Sequence, residues 1–426
     1  MEDVAPVAPR RRRRQKKKAR AAAASATLPD DVVLEILARV ADDVAALFRC
    51  SVSSKRWRAL VADPSFLRRR WPVGARDPGS LLGFFHDMLM PVPTHFVPAP
   101  RSPLGPRRRL LSSFFPNAGG LLKDAVPLAS RSGLLLVRLR SSLYWDDDER
   151  GLVRLAVCNP LAGTWDELPP LHRGSSIMSE EAQCAILTDT DHGPKGRPRK
   201  PLPGYTTFFK VAVIILGYHR GPYSMYTFSS AESSWSAPRR CFALLEYTFV
   251  HGTPVVSRGK VHWLIKGLGN FWTLGFWIET EHISITQLPI PQDFCEYSSF
   301  NHALVLSVAA DGKLSLICLH KNFLQVQIFT CKGDEGDGNG VADALHTEVI
   351  ELKHKPRQTT KALYMYVGEK SATLLVIDQR KFMCAVNLET RTIDEVTGVS
   401  GYFKGHTVVP FEIDWSAFFM SSLEAH

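Results

Sequence analysis

The residue types that most often carry chemistry are present, but their spacing matches no catalytic or metal-binding pattern. The chain has 14 histidines and eight cysteines, yet His-x-His, His-Glu-x-x-His and Cys-x-x-Cys, the spacings typical of zinc sites, do not occur. No Gly-x-Ser-x-Gly is present to expose a serine nucleophile. Gly259-Lys260 is followed by Val261, where a phosphate-binding loop has Ser or Thr. We therefore predict no catalytic residue, no metal site, no cofactor and no enzyme activity. The least supported alternative is a propeller enzyme whose active site combines residues far apart in sequence.

Two polar stretches look like insertions between strands. Cys331 to Asp343 (CKGDEGDGNGVAD) contains three acids among glycines, but no bidentate acid follows at the offset that a calcium loop needs. We interpret it as a hairpin loop. Leu187 to Thr207 is rich in Gly, Pro, Lys and Arg. Loops carried by a rigid scaffold are where binding residues concentrate, so we expect these insertions to bind a partner.

The net charge of +10 is concentrated in one short segment. Residues 1–20 contain nine Lys or Arg against two acids, a net +7, which leaves +3 for the other 406 residues. The eight cysteines are scattered, which argues against a secreted disulfide framework. The longest apolar run, Val211 to Leu216, is too short to span a bilayer. These features predict a protein of the nucleus, the cytoplasm or both, with no membrane partner.

The basic segment has several interpretations. Like charges without apolar residues leave a chain disordered, so residues 1–26 are expected to be a loose tail. Clustered Lys and Arg also suit a nuclear-import signal; the residues concerned are Arg10, Arg11, Arg12, Arg13, Arg14, Lys16, Lys17 and Lys18. Nucleic-acid binding is less favoured because no aromatic residue is interleaved for stacking on bases. A solvated tail without a specific role remains the third interpretation.

The first folded segment, residues 27–71, reads as short amphipathic helices. Thr27, Pro29 and the acids behind them form a helix start. The apolar residues that follow recur at helical spacing, with a break expected near Ser51 to Ser54 and a stop at Asp63-Pro64. Two or three helices of this size bury too little apolar area to be more than marginally stable as an isolated domain. We expect Leu28, Ile36 and Leu37 to form an exposed apolar patch that needs a partner. An ordinary helical hairpin is the alternative.

The same residues resemble the F-box family. That family has a Leu-Pro start, a helix ending in Ile-Leu, an Arg-Cys step, Lys-x-Trp-Arg and Asp-Pro-x-Phe, in this order. The matching elements here are Leu28-Pro29, Ile36-Leu37, Arg49-Cys50, Lys55-Arg56-Trp57-Arg58 and Asp63-Pro64-Ser65-Phe66. Departures occur at Ala41-Asp42 and at Ser53-Ser54. The resemblance implies docking on a Skp-family adaptor through Leu28, Pro29, Ile36, Leu37, Cys50 and Trp57, with Trp57 as either a docking or a core residue.

The rest of the chain is predicted to be β structure. Ten prolines between residues 72 and 130 exclude long helices. We assign residues 72–79 to a linker, 80–415 to an all-β domain and 416–426 to a C-terminal tail. Short runs rich in Val, Ile, Leu and aromatics, bounded by turn residues, continue to Met383–Asn387.

Four segments of this region share one shape, in which a strand, a polar turn and a second strand follow each other. They are residues 155–170, 225–238, 274–289 and 384–396. Their spacing is typical of four-stranded propeller blades with insertions. Glu348 to Leu352 is expected to close a fifth unit after a longer loop. The flanks near 80–115 and 401–413 would together form a sixth blade, with seven blades as the alternative. A β-sandwich or two stacked sheets is the competing architecture.

The stretch Asn159 to Trp165 resembles the repeat of plant F-box-associated and kelch-like propellers. It departs from the Ser-x-Asp-x-Gly-x-Thr-Trp motif of glycosidase propellers at Pro160 and Ala162. The predicted architecture is thus α+β and multidomain, a small N-terminal helical F-box followed by an all-β propeller.

The two resemblances together imply a substrate-recognition subunit of a Skp–cullin–F-box ubiquitin ligase. Its partners would be a Skp adaptor, a cullin and an unidentified target protein. The alternative is a nuclear scaffold or a nucleic-acid-associated propeller that acts through its basic tail.

Overall fold

The computed structural model describes the chain except for residues 1–27, 73–74, 89–92, 101, 140–151, 173–181, 192–199, 218–220, 244–245, 251, 268, 289, 291–303, 310, 320–324, 332–344, 354–361, 379–382, 397–402 and 425–426. The described residues form two compact units. One is helical and combines those of 1–72 with those of 416–426, and the other contains those of 73–415. Each unit is described by itself below.

The described residues of the helical unit form α1 (Asp30–Val40), α2 (Val44–Ser53), α3 (Lys55–Val61), α4 (Pro64–Arg70) and all but the first residue of α5 (Trp415–Glu424). Side-chain caps define three of the starts. The Asp43 carboxylate accepts from Ala46 N, and the Ser54 hydroxyl accepts from Trp57 N. Asp63 accepts from Ser65 N and Phe66 N, and Pro64 occupies the first turn of α4, where its missing N–H costs nothing. The expected break near Ser51 to Ser54 is therefore confirmed at Ser54.

Helix α5 occupies residues that we expected to form a C-terminal tail. Trp415, Phe419 and Leu423 are spaced by four and are all buried, so α5 has one buried face. From Ser416 onward it belongs to the helical unit. There the Phe419 ring stacks on the Trp71 ring at a centroid distance of 5.7 Å. Asp414 directly before an apolar residue, followed by this spacing, was the available signal for a helix start.

The second unit consists of short strands. In chain order they are β1 (Leu81–Met88), β2 (His95–Pro98), β3 (Arg109–Leu110), β4 (Val126–Arg131), β5 (Leu134–Arg138), β6 (Leu152–Val153), β7 (Leu155–Asn159), β8 (Thr164–Glu167), β9 (Leu171–His172), β10 (Gln183–Thr188), β11 (Phe209–Leu216), β12 (Pro222–Ser229), β13 (Arg239–Ala243), β14 (Thr248–Phe249), β15 (Val255–Ser257), β16 (Lys260–Gly267), β17 (Asn270–Trp277), β18 (Ile283–Gln287), β19 (Leu304–Val308), β20 (Leu314–Leu319), β21 (Gln325–Cys331), β22 (Leu345–Glu351), β23 (Ala362–Val367), β24 (Thr373–Asp378), β25 (Met383–Asn387), β26 (Thr392–Glu395) and β27 (Phe403–Glu412). Three 3₁₀ turns interrupt them at Pro78–Ser80, Leu111–Phe114 and Asp189–Asp191. The second of these turns lies within the flank near 80–115 that we expected to contribute strands to a blade.

These strands form the six blades of a propeller, as expected. Blades 1 to 5 are antiparallel sheets in chain order: β4-β5-β7-β8, β10-β11-β12-β13, β14/β15-β16-β17-β18, β19-β20-β21-β22 and β23-β24-β25-β26. Blade 6 is β27-β1-β2-β3, and β27 pairs with β1 in the register Phe84↔Pro410 and Phe85↔Val409. The prediction that the two flanks share one blade is confirmed. This pairing closes the ring and covers the inner edge of β1.

The shared sequence pattern corresponds to the outer half of a blade. In blades 1, 3 and 5 it covers the third strand, the turn and the fourth strand. Blade 2 departs from it because β13 begins at Arg239, four residues after Trp235. The Trp235 indole instead donates to Pro169 O at 2.8 Å, which links blades 1 and 2. In blade 2, Trp235 thus joins neighbouring blades without being part of β13, whereas in blade 1 Trp165 lies within β8.

The core of the propeller lies between neighbouring blades. Buried apolar clusters join blades 1 and 2, 2 and 3, 3 and 4, 4 and 5, and 5 and 6. Within blade 6, Phe85, Phe96, Phe114 and Phe411 form an aromatic cluster with centroid distances of 5.0 to 6.4 Å. Such packing is the usual stabilisation of stacked sheets.

Candidate functional site

Exposed apolar side chains are concentrated in the helical unit. Leu28, Val32, Phe48 and Val52 are each 41 to 53% exposed. In the described part of the propeller the comparably exposed large apolar residues lie far apart in sequence; they are Leu110, Leu202 and Val349. Grouped apolar exposure is typical of an interaction surface, whereas single exposed residues are ordinary. The helical unit is therefore the better candidate for a protein-binding surface.

Five of the six residues predicted to dock an adaptor are at least partly exposed. Leu28 and Pro29 are exposed just ahead of α1, and Ile36, Cys50 and Trp57 are half-buried. They are available for contact to different degrees. Their role in docking stays a prediction.

Leu37 differs from the expectation of an exposed patch because it is fully buried. Val33 and Leu37, one helical turn apart, form the buried stripe of α1, while Val32 and Ile36 lie one position around the helix. Leu37 can therefore shape the surface by packing beneath it but does not itself reach solvent.

An arginine of α3 holds the segment that contains Leu28. Arg56 Nε and Nη2 donate to Asp30 Oδ1 at 2.8 and 2.5 Å, and Nη2 also donates to the Leu28 carbonyl. Helix α1 has no side-chain N-cap; Pro29 occupies the cap position, and its carbonyl accepts from Val33 N at 3.1 Å. Arg56 thus ties the backbone of Leu28 to α3.

Helix α5 contributes aromatic contacts next to one of the exposed residues. The Phe48 ring centroid lies 6.5 Å from those of both Phe418 and Phe419. Phe419 is fully buried and Phe418 is half-buried. One side of Phe48 therefore packs against α5 while the other is exposed.

The propeller has a small cavity on its channel. The first strands of the blades contact one another around the ring: β27 with β4, β4 with β10, β15 with β19, β19 with β23 and β23 with β27. A cavity of about 60 Å³ lies among them; its lining includes Ala129, Arg131, Ala185, Val256, Val367, Glu369, Glu412 and Asp414. This volume suits a few waters or the tip of one side chain rather than a drug-sized ligand.

An ion network joins three blades at this cavity. Arg131, at the end of β4, donates from Nε and Nη2 to the Asp191 carboxylate at 2.6 to 2.8 Å. Its Nη1 donates to Glu369 Oε2 at 2.7 Å. Asp191 follows β10 of blade 2, and Glu369 follows β23 of blade 5. This two-pronged geometry is the strong form of a charge-assisted hydrogen bond.

The protonation of these groups follows from their partners. Burial alone would raise the pKa of Asp191, but the Arg131 charge and hydrogen bonds from Arg131 and Thr188 lower it overall. Burial raises the pKa of Glu412, although Ser371 N and Lys370 N donate to its carboxylate. Asp191 is thus held ionised, which suits an ion pair rather than proton donation. The network therefore connects blades 1, 2 and 5.

Sequence reasoning did not find the Arg131 network. Its members are separated by 60 and 238 positions, and no short motif marks them. Conversely, the proposed import signal at Arg10–Arg14 and Lys16–Lys18 lies outside the described residues. Among the residues that are described, no group of three or more His, Cys, Asp or Glu could hold a metal ion. In the same part of the chain, no helix has the length and apolar character needed to cross a bilayer.

Comparison with known proteins identifies the helical segment. Residues 25–71 match the family described as F-box-like, and this range contains α1 to α4 with all six predicted docking residues. No curated protein sequence matches the chain.

Solved structures resemble the chain only distantly. They include an alpha-L-arabinanase of Penicillium chrysogenum with arabinobiose (8% identity, TM-score 0.37, covering 65% of this chain and 83% of that one). Another is the alpha-L-arabinofuranosidase of Fusarium graminearum with arabinobiose (9%, 0.35, 65% and 82%). A third is the Dos1 propeller (11%, 0.32, 66% and 60%). Similarity this weak carries no argument about activity. The chain contains an F-box-like domain at residues 25–71, followed by a six-blade β-propeller.

Proposed function

We propose that this protein is the substrate-recognition subunit of a ubiquitin ligase of the Skp–cullin–F-box type. In this proposal the F-box-like domain binds a Skp adaptor, and through it a cullin, while the propeller binds a target protein. The observation that carries it is the F-box-like match over residues 25–71 on the unit that exposes Leu28, Pro29, Val32 and Val52. An apolar surface on so small a unit is most simply explained by a protein partner.

In this role the chain needs no chemistry of its own. Holding a target close to a ubiquitin carrier raises the effective concentration of the two reacting groups. The propeller supplies a rigid scaffold for such binding, and its loops supply the contacts. We propose that the chain is non-catalytic and acts in the nucleus, the cytoplasm or both.

The test replaces the exposed Leu-Pro pair. We expect the chain with Leu28→Ala and Pro29→Ala to lose co-purification with a recombinant Skp adaptor, because the proposed contact surface loses two exposed side chains. Since neither side chain is part of the core, the variant should remain folded. The matched control is Leu202→Ala with Pro203→Ala, an exposed Leu-Pro pair of the propeller. Far-ultraviolet circular dichroism should show both variants folded. Undiminished adaptor binding by the first variant would count against the proposal.

The basic tail supports a second candidate, a nuclear scaffold or nucleic-acid-associated propeller. Residues 1–20 carry +7 of the total +10, and phosphate binding by such a segment would depend strongly on salt. Deleting residues 1–20 separates the two functions. If the deletion abolishes cellular activity while adaptor binding remains, the tail carries the function.

A further inference from the structure

The backbone position of Leu28, just ahead of α1, is fixed by the side chain of Arg56 in α3. Helix α1 begins at Asp30 without a side-chain cap, so its own residues do not fix Leu28. The Leu28 carbonyl accepts from Arg56 Nη2, and the same guanidinium donates to Asp30 Oδ1 at 2.8 and 2.5 Å. A single planar group therefore bridges the first turn of α1 and the residue before Pro29, as guanidinium geometry allows.

Stability does not explain why an arginine occupies this position. The side chains of Arg56 and Asp30 are 37% and 60% exposed, and ion pairs at such exposure contribute little. Arg56 also lies in the first turn of α3, which contains no acid. The positive end of a helix dipole disfavours a cation there. Arg70 makes a similar pair of contacts at the other end of α1, with the Ala41 carbonyl and Asp42. What sets Arg56 apart is that its carbonyl partner belongs to Leu28, one of the exposed apolar residues.

We propose that Arg56 is a positioning residue for adaptor binding, which acts through Leu28 and Pro29. It holds the Leu28 backbone in place before the partner arrives, so less conformational freedom is lost on docking. The inference rests on the function proposed above, and it concerns a residue whose side chain need not touch the adaptor.

The first test measures affinity for a recombinant Skp adaptor by calorimetry with the full chain. We expect Arg56→Gln to weaken binding about tenfold, equivalent to about 1.4 kcal/mol, on the scale of fixing one residue's backbone. Arg56→Lys should recover part of the loss, because a lysine ammonium keeps the charge but not the planar fork. The control Arg68→Gln removes an exposed arginine of α4 and should bind as the unaltered chain does. Thermal unfolding should be similar for all of them.

A double-mutant cycle separates positioning from direct contact. If Arg56 acts through Leu28, the loss caused by Leu28→Ala becomes smaller in the Arg56→Gln background, because the leucine is no longer held. Additive losses, or an Arg56→Gln chain that binds normally, would overturn the positioning role and leave the proposed function intact. Absence of binding by the unaltered chain would overturn both.

Discussion

Replacing Arg131 with methionine removes the cation that Asp191 and Glu369 share. The Asp191 side chain is 5% exposed and that of Glu369 is 22% exposed, so water cannot fully replace the lost partner at Asp191. Removing one member of a buried ion pair costs about 3–5 kcal/mol. That is a large share of the roughly 5–15 kcal/mol by which folded proteins are stable. We therefore expect Arg131→Met to unfold at a clearly lower urea concentration than the unaltered chain.

The cost should depend on pH in a defined direction. In the unaltered chain the pKa of Asp191 is lowered, so its contribution to stability is present above the ordinary aspartate pKa and is lost as the pH falls through the lowered value. Without Arg131, burial raises the pKa of Asp191. The variant can then relieve the buried charge by binding a proton. The difference in free energy of unfolding between the two chains should thus be larger near pH 7.5 than near pH 5.

The assay is urea unfolding of the full chain at both pH values, followed by tryptophan fluorescence. The matched control is Arg154→Met on the same blade, whose pair with Glu167 has a similar distance of 2.7 Å but side-chain exposures of 38% and 40%. That control should cost about 0.2–1 kcal/mol. The reasoning fails if Arg131→Met costs no more than Arg154→Met, or if its cost does not change with pH.

Two further predictions concern other buried groups. Burial, followed by the charges of His95 and Arg108, lowers the pKa of His86 to about 4. Between pH 6.5 and 4 the unfolded chain therefore binds a proton at this histidine that the folded chain does not. The free energy of unfolding should decrease over this range by up to about 1.4 kcal/mol per pH unit. In a plot of the urea midpoint against pH, His86→Phe should reduce the slope between pH 6.5 and 4. The control His172→Phe, at an exposed position, should leave that slope unchanged. Equal slopes for the two variants would contradict a role of His86. Phe419→Ala should destabilise the helical unit by about 3–5 kcal/mol and speed hydrogen exchange of α2 and α4 amides. Phe418→Ala, at a half-buried position, should have a smaller effect, and an equal effect of the two would refute the packing argument.

Features encoded by neighbouring residues were predictable from the sequence. Asp63-Pro64 was expected to end a helix, and the structure shows the pair ending α3 and capping α4. Both effects are local, since proline restricts the preceding residue and aspartate caps the next turn. The six-blade propeller followed from a repeated strand-turn-strand pattern, and the shared blade followed from the two flanks left over by it.

Features that depend on distant partners were not predictable in this way. Nothing near Arg131 indicates that its charge is balanced by Asp191 and Glu369, because propeller closure brings them together. Ile36 and Leu37 are adjacent apolar residues, and the sequence does not show which of them faces the core. In the structure α1 is oriented so that Leu37 is buried and Ile36 is half-buried. The apolar residues of α5 recur every four positions, which indicates a helix. The spacing does not show that Phe419 packs on Trp71, which lies more than 300 positions earlier in the chain.

Because β1 pairs with β27, blade 6 can be completed only when nearly the whole chain has been synthesised. On the ribosome β1 emerges long before β27, so its edge stays unpaired until residues 403–412 have been made, and Trp71 likewise waits for Phe419. A product that stops earlier exposes a strand edge of the kind that recruits other chains into aggregates. Its helical unit also lacks a buried aromatic residue. Prematurely terminated chains are therefore expected to aggregate and to have a less stable helical unit.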